Sequence, residues 1–210
     1  MKNSDDPGRR KRGRPKRELA PPPGAILNAA LRAFAHDGFE GSSLRSIAAD
    51  AGVDVALASR QFGSKLDLWK ATVDALSERM VDTQAEIAAL HRDGAPIAER
   101  LRSALRHFIA FSMAVPELGK FFIDETAKAG ERRDYVLARI WQPHRDVMRP
   151  LLEEGLRAGI VRGRDAELLL LMLIGAVAMP LLMTDLVPHG SESEMMEALQ
   201  AHVTALFLID

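Results

Sequence analysis

Three short helical segments, each closed by a single glycine, lie between Pro23 and Gly63 and constrain this chain more than any other feature. Ile26, Leu27, Ala30, Leu31 and Phe34 recur at the spacing of one helix face, predicting a first helix from about Pro23 to His36. Proline suits a first helical turn, where its missing N–H is not needed. Asp37-Gly38 supplies the stop, since glycine reaches the left-handed conformation. Ser43 is a natural cap for a second helix, in which Leu44, Ile47, Ala48 and Ala51 share a face before Gly52 breaks it. Asp54 caps a third helix through about Gln61, and Gly63 ends that one. Ser64, with Asp67 three residues on, is a capping-box variant opening a long fourth helix from Lys65 to about Leu90.

This organisation is that of a helix-turn-helix. Ala48, Ala49, Ala51 and Gly52 are small enough to let the second and third helices approach closely. The short third helix is then free to enter a DNA major groove, leading with its N-terminal residues.

Beyond Leu90 the pattern stays helical. Asp93-Gly94-Ala95-Pro96, Pro116, Gly130, Gly159 to Gly163, and Pro188 to Gly190 punctuate helices at about 96–115, 117–129, 131–158, 165–187 and 191–208. Pro143, Pro150 and Pro180 fall inside these patterns and are expected to kink them. No stretch alternates apolar and polar residues between turn signals, so the fold class is all-α. The expected division is a disordered basic arm (1–20), a helix-turn-helix domain (21–75, the motif at about 43–62) and a larger helical body (76–210).

Net charge is −1, yet residues 1–17 hold eight cations and two anions, leaving −7 on the other 193 residues. A basic tail on an acidic body predicts that one end meets a polyanion. Cysteine is absent, which excludes disulfides, thiolate metal sites and thiol nucleophiles and fits a cytoplasmic protein. No secretory signal is visible, because Pro21-Pro22-Pro23 stands where its apolar region belongs. Leu168 to Met183 is an uncharged apolar run of 16 residues, short of the roughly 20 a membrane span needs, so it reads as a buried helix.

The stretch from Ile26 to Phe39 resembles helix one of the TetR/AcrR family of transcriptional regulators, and Ser43 to Val53 resembles its second helix and turn. Phe62-Gly63-Ser64-Lys65-Leu66-Asp67-Leu68 is similar to that family's exit from helix three and start of helix four. The resemblance covers about residues 23–75 and implies a dimeric, sequence-specific DNA-binding regulator, a repressor released from its operator by a small, mainly apolar effector. It implies a base contact for Arg45, which can grip guanine bidentately, and phosphate contacts for Lys65 and for Ser43 with the helix N-terminus it caps. The recognition helix departs from the family's pattern. Where the family usually carries Lys, Gly, Thr and Tyr, this chain has Val55, Ala56, Leu57 and Ser59 behind Asp54, and Arg60 is its one cation. So apolar a helix suits thymine methyl groups better than hydrogen bonds to bases.

Arg12-Gly13-Arg14-Pro15 in the arm resembles an AT-hook core, in which arginine lies in a narrow minor groove. A nonspecific tether is the alternative, and seven cations in residues 9–17 favour it.

By the same resemblance, the last two helices (about 165–187 and 191–208) pair with their symmetry mates, and a pocket lies among the middle helices. Candidate lining residues are Phe108, Phe111, Phe122, Trp141, His144, Met148 and Met172. Each taken alone is more readily a core residue, and His144 reads either as a polar anchor for a ligand or as a surface histidine. The expected coupling runs through helix four, from the pocket to the DNA reader. No cofactor or metal is expected, since no histidine pair or glutamate–histidine pair has ligand spacing and no nucleophile or phosphate-loop motif occurs. Glu153-Glu154 reads as a solvated helix pair. An enzyme is therefore not expected. The competing reading is a helical adaptor or membrane-surface protein whose arm binds anionic lipid; a third is a small-molecule binder without DNA activity.

Overall fold

The computed structural model describes residues 24–186 and 190–209, all-helical apart from a single β-bridge. The basic arm, with Arg12 and Arg14, lies outside the described residues, as do Pro23 and Pro188. In chain order the helices are α1 (Ala25–Gly41), α2 (Leu44–Asp50), α3 (Val55–Phe62), α4 (Lys65–Ala89), α5 (Ile97–Ala114), α6 (Glu117–Thr126), α7 (Glu131–Val136), α8 (Gln142–Arg157), α9 (Ala166–Leu182) and α10 (Glu192–Phe207).

α1 differs from expectation at both ends. It starts at Ala25 behind Gly24, whose φ is 83°, and it continues to Gly41 across a kink at Gly38 (φ 72°). The glycine breaks the helix, as its left-handed backbone requires, but one more turn forms beyond it. The buried Ser42 hydroxyl then closes the end by donating to the Gly38 and Phe39 carbonyls, both at 3.0 Å.

Two apolar cores divide the helices. The first gathers Phe34 of α1, Ile47 and Ala48 of α2, Ala58 of α3, and Leu68, Trp69 and Val73 of α4 with Phe121 of α6 and Val136 of α7. The second gathers α5, α8, α9 and α10 around Leu101, Ile109, Met148, Leu151, Leu173 and Val203. α4 enters both, contributing Leu68 to Met80 to the first and Ile87 to the second. Its 25 residues span about 37 Å at 1.5 Å per residue.

Glycines set two close helix approaches. A Cβ on Gly155 would lie 2.5 Å from Val161 and 2.7 Å from Leu101, and one on Gly119 would lie 2.9 Å from the Cβ of Ala178. Between α7 and α8 a π-turn (Leu137–Trp141) carries the chain into Pro143. Proline offers no N–H to the preceding turn, and the Gln142 N–H reaches back to the Leu137 carbonyl in the wider π pattern. α9 ends at Leu182, five residues before the expected 187, where Met183 leaves the helical conformation while its N–H still reaches the Met179 carbonyl.

Glu154 is not merely solvated. It pairs in bidentate fashion with Arg100, which is 8% exposed and also donates to the Ala95 carbonyl. The pair holds the Glu154 carboxyl below its usual range. Glu153 pairs with Arg149 one turn away at 2.7 Å. Val161 and Leu208 form the one β-bridge among the described residues, tying the chain end to the α8–α9 link.

Candidate nucleic-acid interface and ligand cavity

α2 and α3 are fixed by their caps. Ser43 accepts from the Ser46 N–H at 3.0 Å, and the Ser46 hydroxyl accepts from the Ser43 N–H at 3.1 Å, a reciprocal box. At the other end of α2, Gly52 (φ 68°) takes the left-handed position. Its N–H reaches the Ala49 carbonyl while the Val53 N–H reaches that of Ala48, the paired bonds of a Schellman stop. Asp54 caps α3 by accepting from the Ala56 N–H at 2.6 Å, and Ser64 with Asp67 closes the box that opens α4. The hydrogen bonds from Ser64 hold the Asp67 carboxyl below its usual range.

Only Ala58 of α3 is fully buried, wedged into the first core. Val55, Ala56, Ser59 and Arg60 face solvent, and Leu57 is half-buried. Arg45 on α2 is exposed as well, and neither it nor Arg60 forms an ion pair with another described residue. The structure thus brings together Ser43, Arg45, Asp54, Val55, Ala56, Ser59 and Arg60 on the accessible parts of one motif. The Asp54 carboxylate is occupied as a cap. Asp50 is matched by Arg32 of α1 at 2.7 Å across an exposed pair.

Lys65 has a structural task that the sequence did not reveal. Its ammonium donates to the Phe39 carbonyl at 2.7 Å and the Ser42 carbonyl at 3.1 Å, bracing the end of α1. An ammonium has three donors, so these two bonds leave one of them over. The guanidinium of Arg132 also stacks on the Phe39 ring, at 4.2 Å. Arg132 Nε donates to the buried Glu125 of α6 at 3.0 Å, and Glu125 accepts from Trp69 Nε1 of α4 at 3.3 Å. Phe39, Arg132 and Glu125 were not legible as site residues, since nothing local in the sequence pairs α1 with α6 and α7.

Residues of both cores enclose a cavity with about 530 Å³ of space not filled by atoms, part of it open to solvent. Phe108 and Ser112 of α5, Leu118, Gly119 and Phe122 of α6, Ile140 and Trp141 of the π-turn, His144 of α8, Ile174 and Ala178 of α9, and Met80 of α4 line it. Four expected lining residues are there: Phe108, Phe122, Trp141 and His144. Three are not. Met148 is sealed in the second core, Phe111 packs against the first core, and Met172 is 54% exposed on the outer face of α9. Each points away from the cavity because helical periodicity turns its side chain to a different face from its aromatic neighbours. The aliphatic lining residues were missed because they carry the same signal as any core position.

His144 is 4% exposed, not a surface histidine. Its Nε2 has no hydrogen-bond partner among the described residues, and burial pushes its pKa down to about 4, so the ring is neutral. No group of three His, Asp or Glu side chains that could hold a metal occurs among the described residues. No described helix is long and apolar enough to cross a membrane.

A capped helix-turn-helix with a solvent-facing third helix is thus mounted on a long α4 that reaches a cavity-bearing helical body. Residues 26–72 match the profile described as bacterial regulatory proteins, tetR family. The HTH-type transcriptional regulatory protein RaaS of Mycobacterium tuberculosis is 34% identical over 137 residues, which are 65% of this chain and 58% of that protein. A TetR/AcrR-family regulator from Thermobifida fusca superposes with a TM-score of 0.58 at 21% identity, covering 85% of this chain and 94% of that one. FadR from Bacillus subtilis, solved with stearoyl-CoA, superposes with a TM-score of 0.61 at 20% identity, covering 87% and 95%. At that identity these two likenesses speak for the fold. Residues 26–72 are thus similar to the DNA-binding domain of the tetR family, and the chain as a whole shares its fold with these regulators.

Proposed function

We propose that this chain is a cytoplasmic, homodimeric repressor whose grip on operator DNA is weakened by a small, mainly apolar effector. The observation that carries the reading is the joint position of α3 and the cavity on α4: the helix starts beside the exposed recognition surface at Ser64 and lines the cavity at Met80. In this reading residues 21–75 read DNA, 76–210 bind effector and partner, and the basic arm adds electrostatic affinity. Arg45 and Arg60 contact bases or phosphates, Val55 and Ala56 meet thymine methyl groups, and Lys65 and the N-terminus of α2 behind Ser43 hold phosphates.

Dimerisation is supported by the outer face of α9, where Leu168, Leu171, Met172, Met179 and Met183 are all 43% exposed or more. So wide an apolar stripe is unusual for a surface that stays in water. A two-fold partner covering it presents two α3 helices to successive major grooves about 34 Å apart.

Two helices carry the effector signal in this mechanism. α4 links Met80 to Ser64. α6 links the cavity residue Phe122 to Glu125, which holds Trp69 of α4 and, through Arg132, the ring of Phe39 at the end of α1. An effector that prefers one placement of α6 thereby biases the spacing of the two recognition helices.

The test is an electrophoretic shift on the DNA upstream of the protein's own gene at several salt concentrations. Specific retardation by the parent protein, lost in the Arg45→Ala/Lys65→Ala variant with unchanged helicity, is the expected result. Retention only by anionic vesicles, with no DNA retarded at any ionic strength, overturns the reading.

A further inference from the structure

Among the described residues, the cavity wall contains no Asp, Glu, Lys or Arg. Its side chains with a polar atom are Ser112, Trp141, whose indole N–H can only donate, and His144. The Ser112 hydroxyl is already spent, donating to the Phe108 carbonyl of its own helix at 2.9 Å. His144 is different. Its ring lies 5.0 Å from that of Phe108, tilted by 32°, and its buried Nε2 meets no partner among the described residues. A buried polar atom left unpaired destabilises the fold by an amount comparable to a lost hydrogen bond, whereas a leucine or phenylalanine there would not.

We infer that His144 is the polar reading point of the cavity, the one lining side chain free both to donate and to accept, and that the effector is an uncharged, largely aromatic or alicyclic molecule bearing one hydroxyl or carbonyl oxygen that hydrogen-bonds the imidazole. This deepens the effector reading above and rests on it. A neutral imidazole offers one donor and one acceptor, so it satisfies a hydroxyl or a carbonyl equally well. Phe108, Phe122 and Trp141 supply aromatic walls for the rest of the molecule. A carboxylate or phosphate finds no cation in the wall to replace its water, and the ring is held neutral, with its pKa pushed down to about 4. The cavity thus excludes an anionic head group, and a coenzyme A moiety would have to lie outside it.

Calorimetric titration of the full-length protein at pH 7.5 with 2-naphthol, naphthalene and 2-naphthoate separates these possibilities, because the three share one ring system. Without a polar anchor, the more apolar naphthalene binds best. With His144 as anchor, 2-naphthol binds about five- to tenfold tighter than naphthalene, the worth of one neutral hydrogen bond. 2-Naphthoate binds at least tenfold more weakly than 2-naphthol. In His144→Phe the order reverses, with naphthalene at least equal to 2-naphthol; His144→Leu serves if the larger ring prevents folding, judged by circular dichroism. Naphthalene equal to 2-naphthol in the parent protein overturns the role of His144 and leaves the effector cavity standing. Tighter binding of 2-naphthoate overturns the uncharged class. Binding of none of the three overturns this inference, whereas operator release is read separately by the DNA shift.

Discussion

The ammonium of Lys65 lies 4.3 Å from the centre of the Phe39 ring and donates to the carbonyl of the same residue at 2.7 Å. A side chain at the first position of α4 thus holds the last turn of α1. Lys65→Ala is expected to lower unfolding free energy by about 1.5–3 kcal/mol, the range for hydrogen bonds made by a charged group. It should also reduce the salt dependence of operator binding by about one ion per subunit. Urea denaturation checks the first effect, and DNA titration across a salt series checks the second. Full stability with weakened DNA binding would leave the brace without energetic weight.

Burial of His144 makes stability depend on pH. The ordinary histidine pKa is 6.5 and the folded value is about 4, so above pH 6.5 neither state is protonated and the group adds no slope. Below that, the unfolded chain takes up a proton that the folded chain refuses, and stability falls as pH drops from about 6.5 towards 4. At pH 5 the loss is about 2 kcal/mol, at 1.36 kcal/mol per unit. Comparing melting of the parent and His144→Phe at pH 7.5 and pH 5 isolates this effect. The variant should lose less on acidification, and parallel losses would show that the ring is not buried and neutral.

Gly119 lets α6 approach α9 beside the cavity. An added Cβ would stand 2.9 Å from that of Ala178. Gly119→Ala gains roughly 1 kcal/mol of helix propensity and loses about 1–3 kcal/mol to overpacking, so a net destabilisation is expected. Exchanging the two residues, as Gly119→Ala/Ala178→Gly, should recover most of it. A double-mutant cycle by urea unfolding measures the coupling, which vanishes if the helices are free to separate.

The outer stripe of α9 tests the dimer. Leu168 is 56% exposed and Met172 is 54% exposed, so glutamate at both positions leaves the described core intact. Leu168→Glu/Met172→Glu is expected to sediment as a folded monomer and to lose operator binding. A variant that still sediments as a dimer locates the interface elsewhere.

What the sequence by itself determined is local. Ser43, Asp54, Ser64 with Asp67, Gly52 and Gly63 act within a few residues of themselves, so capping chemistry marked α2, α3 and the start of α4 without knowledge of the fold. The all-α class followed from periodicity, and the exposed character of Val55, Ala56, Ser59 and Arg60 from the one buried face of a short helix. Only the tertiary structure decided which apolar residues face the cavity: Phe108 and Phe122 do, while Phe111 and Met148, of the same chemical type, lie in the packed cores. It alone set Arg132 against Phe39, joined Trp69 to Glu125 across 56 positions, and left His144 Nε2 without a partner. The reason is one of range. A cap is satisfied by neighbours a turn away, whereas the partner of a buried side chain is fixed by how whole helices cross, which local sequence does not encode.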